Sequence, residues 1–343
     1  MRILRTLHAW IGAGLALGVI VLGLSGTLSV LRGEMIAATV PAARAAAPGP
    51  DSLGPALEAF DATGSRQIKA VKFSPHGLGV HRVYLKSGVS VFIDSQGREV
   101  ARWRGNRRVE ELVLSLHRDL LFGKAGHFVV GVVAICGLGL TAAGLLIWAW
   151  PRPRLGLRVW PASASRRDMY RAHQNLGAIL GLFLLLQLTT ALVMTYGDVT
   201  RAVLRVEGGR ASATETFVGP IRWTMILNAA RARVPDAEVR RVIAPVRAGQ
   251  PFLVNMRTKG EWSPEGNTLV FTDGRGAIVG ATPGAQISIG TRLYFSLKAL
   301  HTGDYGGDIG RLGAGAVGIG MALLGGFGLW SFLRGPRIRR RSA

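Results

Sequence analysis

Thiols, acids and aromatic side chains are all scarce in this 343-residue chain, which has one cysteine, 20 acidic residues against 42 basic ones, and 7% aromatics. The single cysteine, Cys136, lies in an apolar run and excludes an intrachain disulfide, a thiolate zinc site and a cysteine-held iron–sulfur cluster. Any metal must therefore be held by His, carboxylate or Met. Charged residues are 18% of the chain, below the roughly 25% of an average soluble domain, while apolar residues make up 48%. With 47 glycines and a mean hydropathy of +0.28, this excludes a disordered chain, a collagen-like chain and an ordinary soluble enzyme. P-loop, GxSxG, HExxH and dinucleotide fingerprints are missing, and nothing resembles a catalytic nucleophile with its base.

What the chain does have is long apolar runs. Ala9–Leu31, Phe128–Trp150, Leu176–Tyr196 and Leu312–Leu333 are uncharged, and each approaches or exceeds the ~20 residues that cross a bilayer core. Glycine recurs through the first, second and fourth, which lets helix backbones approach closely in lipid. A membrane α-helical bundle of four helices follows. The first run has a basic start like a signal peptide, but it extends unbroken from Ala9 to Leu31. A signal core is usually ~7–15 residues, so the run is read as a helix.

Charge sets the orientation. Segments 1–8, 151–172 and 334–343 hold 13 Lys and Arg against one acid, Asp168, whereas loops 34–115 and 198–299 hold 25 against 16 acids. Short basic loops stay cytosolic, so both termini are expected in the cytosol and both long loops outside it. The formal charge of +22 then belongs largely to segments that flank the lipid bilayer, and nucleic acid is not an expected partner.

The chain also repeats itself. The stretch from Leu7 through His8 to Ala13 resembles that from Ala172 through His173 to Ala178, and Leu116-His117 through Gly126 resembles Leu300-His301 through Gly310. Between them, Val91–Asp94 with Gly97 matches Val270–Asp273 with Gly276. The steps from His8 to His173, Val91 to Val270 and His117 to His301 are close to equal, so the halves are collinear with modest insertions. This internal duplication divides the chain into helix 1 (1–33), an external domain (34–115), helix 2 (116–151), a basic cytosolic loop (152–171), helix 3 (172–197), a second external domain (198–298), helix 4 (299–334) and a basic tail (335–343). Alternation predicts strands over 68–73, 80–85 and 89–93 in the first external domain and over 239–244, 251–256 and 268–272 in the second. Short helices are predicted over 55–60 and 221–233, so both domains read as α+β.

Four of the seven histidines, His8, His117, His173 and His301, lie near the mouths of the four helices. The expected topology puts His8 with His173 at one face and His117 with His301 at the other. His127 is an alternative to His117, and His76 and His81 read as surface residues. A lone histidine at a helix end is ordinarily an interfacial side chain; recurrence at matching positions favours a ligand. Two imidazoles are incomplete for zinc, which takes four ligands, but they complete the axial positions of a haem iron and leave none open for oxygen. Gly12, Gly126, Gly177 and Gly310 are expected to make room for the macrocycle. Arg118 and Arg311 are placed either to pair with its propionates or to snorkel to headgroups. Asp119, Asp304 and Asp308 keep a His/carboxylate metal site open as an alternative.

At these residues the chain resembles the PepSY-associated transmembrane-helix family of bacterial inner-membrane proteins, many linked to iron uptake. The likeness is carried by His8 with Trp10 and Gly12, Ser25-Gly26, Leu116-His117 with Gly123 and Gly126, His173 with Leu176-Gly177, Leu300-His301-Thr302-Gly303 with Gly310-Arg311, and Gly328-Leu329-Trp330. The resemblance implies two periplasmic PepSY-like domains and two haem b groups held between the helices. Electrons from a separate donor, a quinol or a flavin reductase, would pass to a ferric siderophore or another iron chelate. A non-enzymatic scaffold or regulator binding a periplasmic partner is the alternative reading.

Overall fold

The computed structural model describes residues 1–62, 67–150, 156–209, 211–212, 219–261 and 263–335. The basic tail expected over 335–343, apart from Gly335, and residues 151–155 of the basic connector lie outside them.

The chain opens with helix α1 (Arg2–Val30) and a short α2 (Arg32–Thr39). Next come α3 (Leu53–Ala62) and strands β1 (Ile68–Lys72), β2 (His81–Leu85), β3 (Val89–Ile93) and β4 (Glu99–Arg104). Helix α4 (Val109–Asp119) precedes α5 (Gly123–Ala149), and α6 (Arg166–Thr195) precedes α7 (Gly197–Val203). The second half follows with α8 (Trp223–Arg233), β5 (Glu238–Ile243), β6 (Phe252–Arg257), β7 (Thr268–Thr272), β8 (Ile278–Thr282), α9 (Ile289–Thr302) and α10 (Gly307–Leu333). These elements form two compact units.

In the helical unit, α1, α5, α6 and α10 are long and apolar enough to cross a membrane. Each is apolar around most of its circumference, and side chains such as Leu17 and Leu182 point outward, in keeping with a lipid-facing surface. The helices close a ring, α1 against α10, α10 against α6, α6 against α5 and α5 against α1. Small residues set the α1–α10 approach: a Cβ on Gly23 would press on the Gly318 carbonyl, and Thr27 donates its hydroxyl to the Gly315 carbonyl at 2.9 Å.

Within 116–151 and 299–334 the chain breaks once before each span begins. Leu120 and Leu121 take positive φ values of 50° and 68°, ending α4 before α5 starts. A Cβ on Gly126 would collide with the Asp119 carbonyl, and one on Gly310 with the Gly303 carbonyl. Both glycines therefore allow the tight turn that precedes each span. His117 and His301 accordingly sit in the last turns of α4 and α9, helices distinct from the spans they precede.

In the other unit, 31–111 and 200–299, the strands form one antiparallel sheet in the order β4-β3-β2-β1-β5-β6-β7-β8. The two halves join through β1 and β5, with Ala70, Val71 and Lys72 opposite Ile243, Val242 and Arg241. The external loops, expected as two domains, thus share one sheet. Alternation turns Val83 of β2 and Val254 of β6 into a core completed by Phe60 of α3 and Trp223 of α8. The turns after β3 and β7 close alike: Asp94 accepts the Gln96 and Arg98 amides, Asp273 those of Arg275 and Ala277.

His81 is not a surface residue. It occupies an inward position of β2, is fully buried, and meets Phe73 edge-on at 5.5 Å. Burial pushes its imidazole down to about 4, although Asp94 pulls the other way. The unfolded chain takes up this proton at about pH 6.5, so stability is full above that value and falls as pH drops toward 4. We expect about 2 kcal/mol of lost stability between pH 7 and pH 5 from this side chain. Denaturation of the full chain in detergent at the two pH values, with wild type and His81→Asn, checks this; an equal acid loss in both would contradict it.

Candidate functional site

The four paired histidines all belong to the helical unit, and they meet as two facing pairs. His8 of α1 and His173 of α6 have ring centroids 6.1 Å apart with planes at 79°. His117 and His301 have centroids 6.0 Å apart with planes at 34°. His117 reaches α1 at Leu22, and His301 reaches α6 at Thr190. Leu22 lies about four helical turns beyond His8, and Thr190 between four and five turns beyond His173, so the pairs are separated by about 21–26 Å along the same helices.

Each ring is held from behind. His173 Nδ1 lies 3.0 Å from the Leu324 carbonyl, and His117 Nδ1 lies 3.0 Å from the Leu22 carbonyl. A carbonyl only accepts, so both rings carry their proton on Nδ1, and Nε2 keeps a free lone pair. His301 Nδ1 meets the Thr190 hydroxyl at 3.0 Å, and the Ser25 hydroxyl is 3.4 Å from His117 Nδ1. The Leu140 carbonyl faces His8 without closing a hydrogen bond, and His8 Nδ1 is buried and unpartnered among the described residues. Outer contacts of this kind fix the orientation and basicity of metal-binding imidazoles.

Three glycines pack against these rings. A Cβ on Gly144 would stand 3.2 Å from His8 Cε1, one on Gly328 3.3 Å from His173 Cε1, and one on Gly26 2.9 Å from His117 Cε1. Gly144 and Gly328 are not among the site residues expected from sequence. A signal for them exists: Gly144 and Gly328 stand as far apart in the chain as His117 and His301, and Ser25 and Thr190 share the spacing of His8 and His173.

The remaining candidates are placed differently. His127 stands apart from both pairs, with Nε2 3.0 Å from the Thr195 carbonyl and Nδ1 3.3 Å from that of Arg118. Arg118 forks onto Asp119 at 3.0 and 2.7 Å. Arg311 donates to the Val30 carbonyl at 2.7 Å and stands 3.4 Å from Asp308. Asp119 also accepts from Ser115, and Asp304 from Thr302. Among the described residues no three His, Cys, Asp or Glu side chains converge as a metal site. The His/carboxylate alternative at His301, Asp304 and Asp308 therefore does not form.

Comparison with known proteins adds to this geometry. The family model of the PepSY-associated TM region matches residues 5–334, nearly the whole chain. No curated protein matches it. Four membrane-spanning helices and this match agree, and the chain belongs to the PepSY-associated TM family as a multi-pass membrane protein.

Proposed function

We propose that the protein carries electrons across the membrane and reduces ferric chelates such as siderophores, with each histidine pair holding one haem b. The observation that carries this reading is the spacing of the pairs. With metal–imidazole bonds of about 2 Å, two Nε2 atoms on opposite sides of one metal set ring centroids about 6 Å apart, and the pairs stand at 6.1 and 6.0 Å. The donor set agrees: among the described residues no third His, Cys, Asp or Glu joins either imidazole pair, and two imidazoles would suit an iron otherwise held by a porphyrin. Bound there, haem b supplies a one-electron carrier near each end of the helices.

The protein's own residues supply the rest. Leu22 and Leu324 hold His117 and His173 through Nδ1, which leaves Nε2 as the nitrogen that would bind the iron. His117 is the ligand in this reading and His127 is not. A haem held by both imidazoles of a pair would be suited to electron transfer and not to oxygen binding. The two pairs, about 21–26 Å apart along the helices, subdivide a bilayer core of ~30 Å that is too wide for one transfer.

In this proposal the two halves are a duplication, and the matched spacings of histidines, glycines and hydroxyls support it. The basic segments lie in the cytosol of a bacterium, the sheet unit lies in the periplasm, and a separate quinol or flavin reductase delivers electrons at His8 and His173. One electron leaving the His117–His301 end converts chelated iron(III) to iron(II), which binds oxygen donors less tightly and is released. The loops 34–115 and 198–299 have net charges of +3 and +6, which favours anionic chelates.

Stopped-flow mixing of dithionite-reduced protein with a ferric hydroxamate tests the acceptor. We expect rapid reoxidation by wild type and at least a tenfold slower reaction for His301→Ala. Equal rates for the two would remove His301 from the path, and no reoxidation of wild type would remove ferric chelates as acceptors.

A further inference from the structure

His117 and His173 are tied through Nδ1 to main-chain carbonyls at 3.0 Å, but His301 differs. Its close partner is a side chain, the Thr190 hydroxyl at 3.0 Å, with the Gln187 carbonyl behind it. We infer that Thr190 is a positioning residue for His301: its oxygen accepts the Nδ1 proton, fixes the ring so that Nε2 faces His117, and sets the reduction potential of the metal bound there. This inference rests on the proposed reading of His117 and His301 as haem ligands.

The direction of the hydrogen bond follows from where the hydroxyl proton goes. Thr190 Oγ1 lies 2.9 Å from both the Leu186 and the Gln187 carbonyls of its own helix, so its single proton is already committed. The oxygen lone pairs remain for His301. Ser25 is arranged the same way, with its proton given to the Val21 carbonyl at 2.6 Å and its oxygen 3.4 Å from His117 Nδ1. His117, however, keeps the Leu22 carbonyl at 3.0 Å, so Ser25 is its second acceptor while Thr190 is the nearer acceptor for His301. Thr190 is 3% exposed and Val is nearly its isostere, so the hydroxyl is removable without opening a cavity.

Accepting the Nδ1 proton makes the imidazole a stronger donor, and a stronger donor favours the oxidised metal. Loss of the acceptor therefore moves the potential to a more positive value. Full-length wild type, Thr190→Val, Thr190→Ser and Ser25→Ala, each produced with ample haem, are compared by haem count and redox titration. The haem at His117–His301 is identified as the one lost in His301→Ala.

Thr190→Val is expected to keep both haems and to shift that midpoint positive. Thr190→Ser should return it toward wild type, and Ser25→Ala should shift it less. Loss of the haem in the Val variant with retention in the Ser variant supports the same role. Unchanged midpoints in Thr190→Val, or equal loss in Val and Ser, overturn the inference while leaving the haem reading intact. A wild type without haem overturns both.

Discussion

With a haem at each histidine pair, as proposed, Gly328→Leu is expected to lower the haem content from about two per chain to about one and to spare the haem at His117–His301. Gly328 faces His173 at the distance where even a methyl group would need the ring to give by a few tenths of an ångström. The ring has nowhere to go, because Nδ1 is tied to the Leu324 carbonyl, one turn earlier on the same helix as Gly328. A leucine side chain must swing His173 out of line with His8, and axial ligation tolerates little misplacement. Gly328→Ala should be mild by comparison. Gly144→Leu, acting on His8 from the equivalent position, should give the same result. A haemochrome count checks this, and two haems in both leucine variants would contradict the placement of the first pair.

The second large effect belongs to the sheet unit. Glu110 is wholly buried and pairs with Arg108 at 2.5 Å. The same guanidinium stacks over Phe92 and Trp103 at 5.4 and 5.2 Å and donates to Thr39. Removing only the carboxylate leaves a cation among aromatic side chains without its counter-charge. Glu110→Ala is therefore expected to destabilise the unit by about 3–5 kcal/mol, the usual cost of breaking a buried pair. Replacing both partners with apolar residues, as in Arg108→Met with Glu110→Leu, should recover most of that loss. Urea denaturation followed by tryptophan fluorescence measures both variants. An exposed pair would cost under about 1 kcal/mol, and so small a loss would contradict the burial argument.

The parts of this architecture that could be read from sequence are those with a strong period or a strong composition. Apolar runs marked α1, α5, α6 and α10, and alternation marked β1–β3 and β5–β7. The repeat spacing brought His8 to His173 and His117 to His301, and the distances agree with that pairing. The edge strands β4 and β8 lack that signal, because Glu99–Arg104 carries exposed charged side chains and Ile278–Thr282 has no alternation of apolar and polar residues. Strand pairing between β1 and β5 joins segments from opposite halves of the chain, and no local pattern encodes it.

The histidine shells were missed for a different reason. Glycine in a membrane helix reads as a packing residue, and nothing in its own neighbourhood separates Gly328, which faces a ring, from Gly326, which faces open space. Serine and threonine in the same helices ordinarily bond back to their own backbone, as Ser25 and Thr190 both do. Only the placement of a second helix shows that their oxygens also meet an imidazole. His81 reads as a surface residue because it is polar and follows a turn, while its place in the alternation of β2 points it inward.

In the function proposed above, each of the two imidazole pairs holds a haem. The most direct test is the visible spectrum of the detergent-purified full chain, oxidised and dithionite-reduced, with a pyridine haemochrome count on the same sample. Two such haems would give a sharp low-spin b-type α-band and a content of about two per chain, falling to about one in His8→Ala and in His301→Ala. A colourless protein from cells well supplied with haem would contradict the proposal, and so would a haem content that neither substitution lowers.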